Sequence, residues 1–151
     1  MTRPLKIISG GQTGADQGGL QAAIDLGIET GGTAPKGYRT EVGPNLLLRD
    51  LYHLVESPYS AYPPRTKANA DEADGTVWSG SIGSPGYWCT KKAAINKPWI
   101  ENPSPEVLRD WVTGNKILVL NVAGNRESTN PGIFAKTRKL IVEAFEVKCS
   151  P

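Results

Sequence analysis

Short apolar runs rich in branched residues recur along the chain and are separated by longer stretches of mixed polarity. The first run, "LKIIS" (5–9), has the length and composition of a buried strand. The most apolar run is "KILVLNVAG" (116–124), and three weaker runs lie between these two. The hydrophobic pattern therefore predicts five strands, at 5–9, 29–34, 76–79, 97–101 and 116–124.

The stretches between these runs place apolar residues at helical spacing. After a glycine-rich loop, a helix is expected from Asp16 to a stop at Gly27. Ser104, Pro105 and Gly114 mark the cap, first turn and end of another helix. The remaining predicted helices are 65–74, 87–96 and a last one to residue 145, capped by Asn130 with Pro131 in its first position.

Strands alternate with helices throughout, which favours an α/β fold with an open, mostly parallel sheet and helices on both faces. The 151 residues suit a single domain with one core. Residues 35–64 fit the pattern poorly. Within them, 46–64 are ambiguous between a short helix and an extended segment.

Composition narrows the classes of function. The net charge of +2 is too small to indicate binding to nucleic acid or to an acidic membrane surface. No apolar stretch approaches the roughly 20 residues that span a bilayer. Cys89 and Cys149 lie far apart in the sequence and His53 is the sole histidine, so no zinc site is expected. A reduced, cytoplasmic protein is expected.

Three predicted strands end in unusual loops: "SGGQTGAD", "SGSIGSPG" and "NVAGNRES". Because parallel strands end at one edge of a sheet, these loops should converge there. Glycine backbone amides, helix N-termini and the side chains of Gln, Thr and Ser suit a phosphate or similar oxyanion. The candidate contacts in these loops are Gly10, Gly11, Gln12, Thr13, Gly14, Gly80, Ser81, Gly83, Ser84, Pro85, Gly86, Asn121 and Gly124.

Basic residues in neighbouring loops extend this candidate site: Lys36, Arg39, Arg65 and Arg126. The planar fork of Arg suits phosphate. The first loop lacks the lysine of a P-loop and the spacing of a dinucleotide fingerprint. Asp16 and Glu127 are the nearest carboxylates, and a capping or ion-pairing role is favoured for both, so no catalytic residue is assigned.

The segments "SGGQTGADQGGLQAAIDLGI", "PKGYRTEVG", "RTKAN" and "VLNVAGNRES…PGIFAKTR" resemble the molybdenum carrier family, in order and over nearly the whole chain. The resemblance implies a Rossmann-like fold shared with lysine-decarboxylase-like proteins and cytokinin-activating phosphoribohydrolases. It also implies binding of the molybdenum cofactor, a pterin with dithiolene-held molybdate and a terminal phosphate, or of molybdate or another oxyanion. Implied partners are apo-molybdoenzymes or cofactor biosynthesis proteins, and further copies of the chain in a homo-oligomer.

The phosphoribohydrolase motif P-G-G-x-G-T-x-x-E falls on "PGYWCTKKA", where Ala93 stands in place of the catalytic Glu. This departure argues against hydrolysis. The resemblance implies a non-catalytic carrier that binds, protects and delivers the cofactor. The alternative is a nucleotide or ADP-ribose sensor, or a phosphoribohydrolase. Tyr87 and Trp88 are either core residues or stacking partners for a flat heterocycle.

Overall fold

The computed structural model describes residues 3–147. The strands are β1 (Lys6–Ile8), β2 (Glu29–Gly31), β3 (Thr33–Ala34), β4 (Arg39–Thr40), β5 (Gly43–Pro44), β6 (Val55–Glu56), β7 (Gly75–Ser79), β8 (Trp99–Glu101) and β9 (Val119–Gly124). The helices are α1 (Ala15–Leu26), α2 (Leu47–Asp50), α3 (Tyr62–Glu72), α4 (Pro85–Ala93), α5 (Pro105–Gly114) and α6 (Ile133–Phe145).

Five strands form one parallel sheet in the order β2-β1-β9-β7-β8. The two long central strands, β7 and β9, are almost fully buried because helices cover both faces. Since every pairing in the sheet is parallel, the carboxyl ends of β1, β9 and β7 lie side by side at one edge. The predicted α/β class and parallel sheet are confirmed.

Adjacent residues of β7 show how the two faces are covered. Val77 packs in the larger core cluster with Leu108 of α5 and Ile141 of α6. Trp78, whose side chain points to the opposite face, packs with Tyr87 of α4. Helices therefore lie on both sides of the sheet, as the alternating pattern predicted.

Two predicted helix signals are confirmed. The Ser104 hydroxyl accepts a hydrogen bond from the Val107 amide, and α5 runs from Pro105 to Gly114. Gly27 ends α1 in the left-handed conformation.

Other predicted helix starts are wrong. Helix α3 begins at Tyr62 rather than at residue 65, because Pro63 and Pro64 fit a first turn whose amides need no partner. Ser84 caps α4, so Pro85 and Gly86 belong to the helix rather than to the preceding turn.

The predicted start of α6 is also wrong. Asn130 is not its cap and Pro131 lies outside it, since the helix begins at Ile133 after Gly132. The Glu127 carboxylate instead accepts hydrogen bonds from the amides of Gly132 (2.6 Å) and Phe134 (3.0 Å). The predicted capping role of Glu127 is thus confirmed.

The segment that sequence left ambiguous forms small elements outside the main sheet. β4 and β5 make a hairpin, β3 pairs with β6, and α2 is a single turn. Gly32, with φ of 120°, separates β3 from β2, so the predicted strand 29–34 is two short strands. Within residues 3–147, no helix has both the length and the apolar character needed to cross a membrane.

Candidate functional site

A cavity of about 570 Å³ opens at the edge of the sheet where β1, β7 and β9 end. Its volume lies within the range of small-molecule sites. Every strand-end loop named above contributes to it, together with the first turns of α3 and α4. Its lining includes Gln12, Asp16, Tyr62, Arg65, Thr66, Ser81, Ser84, Pro85, Gly86, Cys89, Thr90, Gly124, Asn125, Arg126 and Thr129.

The backbone amides of the first glycine loop are already used inside the protein. The Gly11 amide donates to the Ser9 hydroxyl, the Gln12 amide to the Asp16 carboxylate, and the Thr13 amide to the Gln12 side-chain carbonyl. The prediction that the glycine amides of this loop point inward as free anion donors is therefore wrong for Gly11. The amides of Gly11, Gln12 and Thr13 are therefore not available to a ligand.

The side chain of Gln12 is such a donor. Its Oε1 accepts from the amides of Thr13 (3.0 Å) and Glu41 (2.8 Å), which fixes the orientation of the side-chain amide. Its Nε2 has no acceptor among residues 3–147, and Gln12 lines the cavity. The two bonds to Oε1 therefore leave the NH₂ group available to a ligand.

Glu41, in the turn between β4 and β5, ties this hairpin to two of the loops. Its carboxylate accepts hydrogen bonds from the hydroxyls of Thr13 and Ser128 and from the Ser128 amide. Burial raises the pKa of Glu41, but the bonds from Ser128 and Thr13, helped by the charge of Arg126, outweigh burial and lower it. Glu41 is consequently a charged acceptor that holds the hairpin against the cavity wall.

Asn125, just beyond β9, joins all three loops. Its backbone oxygen accepts from the Ala15 amide (3.1 Å), and its side-chain oxygen accepts from the Ser81 amide (2.6 Å). Gly14 allows this approach, because a Cβ there would lie 2.4 Å from the Asn125 oxygen and its φ is 82°. The strand-end loops are thus fixed relative to one another without a ligand.

Three guanidinium groups surround the ring of Tyr62 at the cavity wall. The Cζ atoms of Arg39, Arg65 and Arg126 lie 4.5, 5.4 and 5.9 Å from the ring centroid. Each distance is within the range of a cation–π contact. Among residues 3–147, Arg39 and Arg126 have no carboxylate within 4 Å, so two guanidinium groups beside the ring are left without a direct ion pair.

Arg65 differs, because its side chain is mostly buried and pairs with Asp16. Its Nη1 lies 3.4 Å from Asp16 Oδ2, and the two side chains are 14% and 5% exposed. Gly10 makes room for this guanidinium, since a Cβ there would lie 2.0 Å from Nη1. Burial raises the pKa of Asp16, although Arg65 and the Gln12 amide oppose the shift. The buried Nε of Arg65 has no partner within the described residues.

The structure brings about half of the predicted contacts to the cavity wall. These are Gln12, Arg65, Ser81, Ser84, Pro85, Gly86, Gly124 and Arg126, with Arg39 close by through Tyr62.

The other predicted contacts lie elsewhere. Asn121 is buried between strands and donates to Thr76, and Lys36 is exposed in the turn before β4. Gly11 lies against Leu48 and Leu54. The remaining predicted contacts are not among the residues that line the cavity: Gly10, Thr13, Gly14, Gly80 and Gly83.

On α4, Tyr87 and Trp88 have different environments. Tyr87 is 3% exposed, packs edge-on against Trp78 and donates to Glu101, so it is a core residue. Trp88 is 58% exposed and does not line the cavity. The cavity face of α4 is Pro85, Gly86, Cys89 and Thr90, while Ala93 lies near the far end of the helix.

Sequence reasoning missed Tyr62, Asn125 and Glu41. For Tyr62 a signal was present: "AYPPR" has prolines typical of a first helical turn, which would have placed Tyr62 and Arg65 at a helix start. Asn125 follows a predicted strand directly, as ligand-site residues of α/β sheets do. For Glu41, no local pattern indicates its contacts with residues 28 and 87 positions away.

Comparisons with known proteins agree with this architecture. The model of the circularly permutated YpsA SLOG family matches residues 7–145. Among solved structures, the chain is similar to one named "Putative molybdenum carrier protein" from Syntrophus aciditrophicus SB. The two are 35% identical with a TM-score of 0.85, and the match covers 95% of this chain and 96% of that one. The comparison with curated proteins gave no match.

The resemblance predicted from the sequence motifs is thereby confirmed, and the Rossmann-like arrangement with it. The family match extends from β1 to the end of α6 and includes every loop that lines the cavity. The protein belongs to the circularly permutated YpsA SLOG family.

Proposed function

We propose that this protein binds the molybdenum cofactor in the cavity at the strand ends and carries it to a recipient without converting it. The observation that carries the proposal is the cluster of Arg39, Arg65 and Arg126 around Tyr62. Two of these groups, Arg39 and Arg126, have no carboxylate within 4 Å among residues 3–147, which suits a ligand with a phosphate and oxyanion oxygens. The similar solved structure bears the name of a molybdenum carrier.

The cavity fits such a ligand by size and by chemistry. A volume of about 570 Å³ accommodates a pterin with its side chain and phosphate. The arginines would hold the phosphate, and Gln12 Nε2 offers a neutral donor deeper in the site. The molybdenum is cargo, held by the cofactor's own dithiolene, so the protein's task is to bind, orient and shield.

A loading and transfer experiment tests the proposal. The protein is incubated anaerobically with free molybdenum cofactor, separated by gel filtration, and added to an apo-molybdoenzyme. We expect the cofactor to co-elute with the protein and to restore enzyme activity after longer storage than free cofactor does. Retention no better than that of an unrelated protein of similar size would overturn the proposal.

Two variants test the role of the arginines. Arg39→Gln and Arg126→Gln each remove one exposed guanidinium and should weaken cofactor binding about tenfold, since hydrogen bonds to charged groups contribute about 1.5–3 kcal/mol. Arg49→Gln, an exposed arginine of α2 outside the cavity, is the matched control and should leave the affinity unchanged. Equal affinities in all three variants would place the ligand elsewhere.

A ligand panel separates the carrier from the nucleotide sensor. Thermal stability is measured with the cofactor, molybdate, AMP and ADP-ribose, each at increasing concentration. A ligand at 100 times its dissociation constant stabilises by about 2.7 kcal/mol. Stabilisation by AMP or ADP-ribose with none by the cofactor would favour the sensor.

A further inference from the structure

One acidic side chain lines the cavity beside its cationic groups. Asp16, in the first turn of α1, is only 4% exposed, yet it reaches the cavity wall. A carboxylate is an unfavourable neighbour for an anionic ligand, because like charges repel most strongly where water is excluded. The ion pair with Arg65 involves only Oδ2, so the role of Oδ1 at the cavity wall is left to be explained.

The two oxygens of this carboxylate have different environments. Oδ2 accepts a hydrogen bond from the Gln12 amide (3.1 Å) and lies 3.4 Å from Arg65 Nη1. Oδ1 has no donor among residues 3–147. Since an ionised carboxylate has acceptor sites on both oxygens, Oδ1 is left to accept from a group in the cavity.

Gln12 provides a donor to the same cavity. The Gln12 amide is bound to Asp16, and its side-chain oxygen is held by Thr13 and Glu41, which leaves Nε2 available. The wall therefore offers an amide N–H and a carboxylate oxygen from residues four positions apart. This pair complements a heterocycle edge that carries a carbonyl beside N–H groups.

We propose that Asp16 and Gln12 recognise the 2-amino-4-oxopyrimidine edge of the ligand, as found in pterins and in guanine. Asp16 Oδ1 accepts from the ring N–H and the 2-amino group, and Gln12 Nε2 donates to the 4-oxo group. The inference rests on the proposed function and names the part of the ligand that Asp16 and Gln12 contact, while the exposed Arg39 and Arg126 are left for the phosphate. The carboxylate then selects the heterocycle, while the guanidinium groups hold the anion.

The test compares two anionic heterocycles that differ only at this edge. 6-Carboxypterin carries the 2-amino group, and 6-carboxylumazine has an oxygen in its place. Dissociation constants are measured by fluorescence for the wild type, Asp16→Asn and the control Asp71→Asn, an exposed carboxylate of α3. We expect the wild type and the control to prefer the pterin at least about tenfold, and Asp16→Asn to lose the preference.

Asp16→Asn is nearly isosteric and keeps an oxygen that can accept from the Gln12 amide, so a folded protein is expected. If Asp16→Asn does not fold, the affinities of the wild type for the two compounds still test the inference, because equal affinities would overturn it. Equal affinity of the wild type for both compounds, binding of neither, or an unchanged preference in Asp16→Asn would overturn the inference.

The same variants separate this inference from the proposed function. If the wild type retains the molybdenum cofactor but has no preference for the pterin, the carrier proposal stands and the role of Asp16 falls. If the wild type prefers the pterin through Asp16 but does not retain the cofactor, the role of Asp16 stands and the carrier proposal falls.

Discussion

At the scale of single residues, the site is a set of side chains whose orientations the protein fixes in advance. Gln12 cannot turn its oxygen toward a ligand without losing the amides of Thr13 and Glu41. Arg65 can lie where it does because residue 10 has no Cβ. The glycines of "SGGQTG" were predicted to be ligand contacts, and in the structure they make room for neighbouring side chains and loops.

Asp16 gives the first prediction at this scale. Because burial raises its pKa, the native state binds a proton more tightly than the unfolded chain does. The stability that Asp16 contributes is complete below its unfolded pKa and is lost as the pH rises through its folded pKa. Asp16→Asn should therefore be more stable than the wild type at pH 7, with each kcal/mol raising Tm by about 2–4 °C.

Thermal melts of the wild type and Asp16→Asn from pH 3 to pH 8 check this prediction. The two curves should converge at the acidic end, where Asp16 is protonated. The control Asp71→Asn should show no such gain at neutral pH, because its carboxylate is exposed. A variant that is less stable at pH 7 than at pH 3, relative to the wild type, would show that Arg65 favours the charged form.

At the scale of elements, local signals predict a helix boundary when the cap and the helix are adjacent in sequence. Ser104 and Gly27 satisfy this condition, and α5 and the end of α1 were predicted correctly. Glu127 caps α6 from five and seven residues away, across a turn at Gly132 that sequence reasoning did not foresee. A standard cap pattern at Asn130 and Pro131 therefore misled the prediction.

The cap of α6 gives the second prediction. Glu127→Ala removes two hydrogen bonds to backbone amides and a favourable charge at a helix N-terminus, which should lower stability by about 1–2 kcal/mol. Urea unfolding measures the change. Glu143→Ala, on the exposed side of α6 with a weak lysine contact of 3.9 Å, is the control and should cost less than about 0.5 kcal/mol. Equal losses would mean that Glu127 does not cap the helix.

At the scale of the whole molecule, the alternating strands and helices predicted the sheet, and the sheet in turn predicted that three loops meet at one edge. The secondary structure of residues 35–60 could not be predicted in this way. Its strands are two residues long and its one α-helix is a single turn, so neither helical nor strand periodicity can develop. This segment nonetheless supplies Glu41, which is why its contacts with the loops of Thr13 and Ser128 were missed.

The difference between the buried central strands and this peripheral segment also predicts which backbone amides exchange with solvent most readily. β7 and β9 lie in the middle of the sheet with Val77, Leu120 and Val122 fully buried, so their amides should exchange with solvent only on global unfolding. The hairpin 39–44 is attached mainly through Glu41 and through Arg39 above Tyr62, so it should exchange far faster in the free protein.

Hydrogen exchange with and without the molybdenum cofactor tests this difference. Because Arg39 and Arg126 would share the bound phosphate, the ligand should slow exchange in residues 39–44 and in the first turn of α3. It should leave β8 and α5, which are outside the cavity, unchanged. Arg126→Gln should reduce this protection, whereas Arg49→Gln should preserve it. Slowing that is uniform across the sheet would instead indicate a general gain in stability, and the hairpin would then have no special part in holding the ligand.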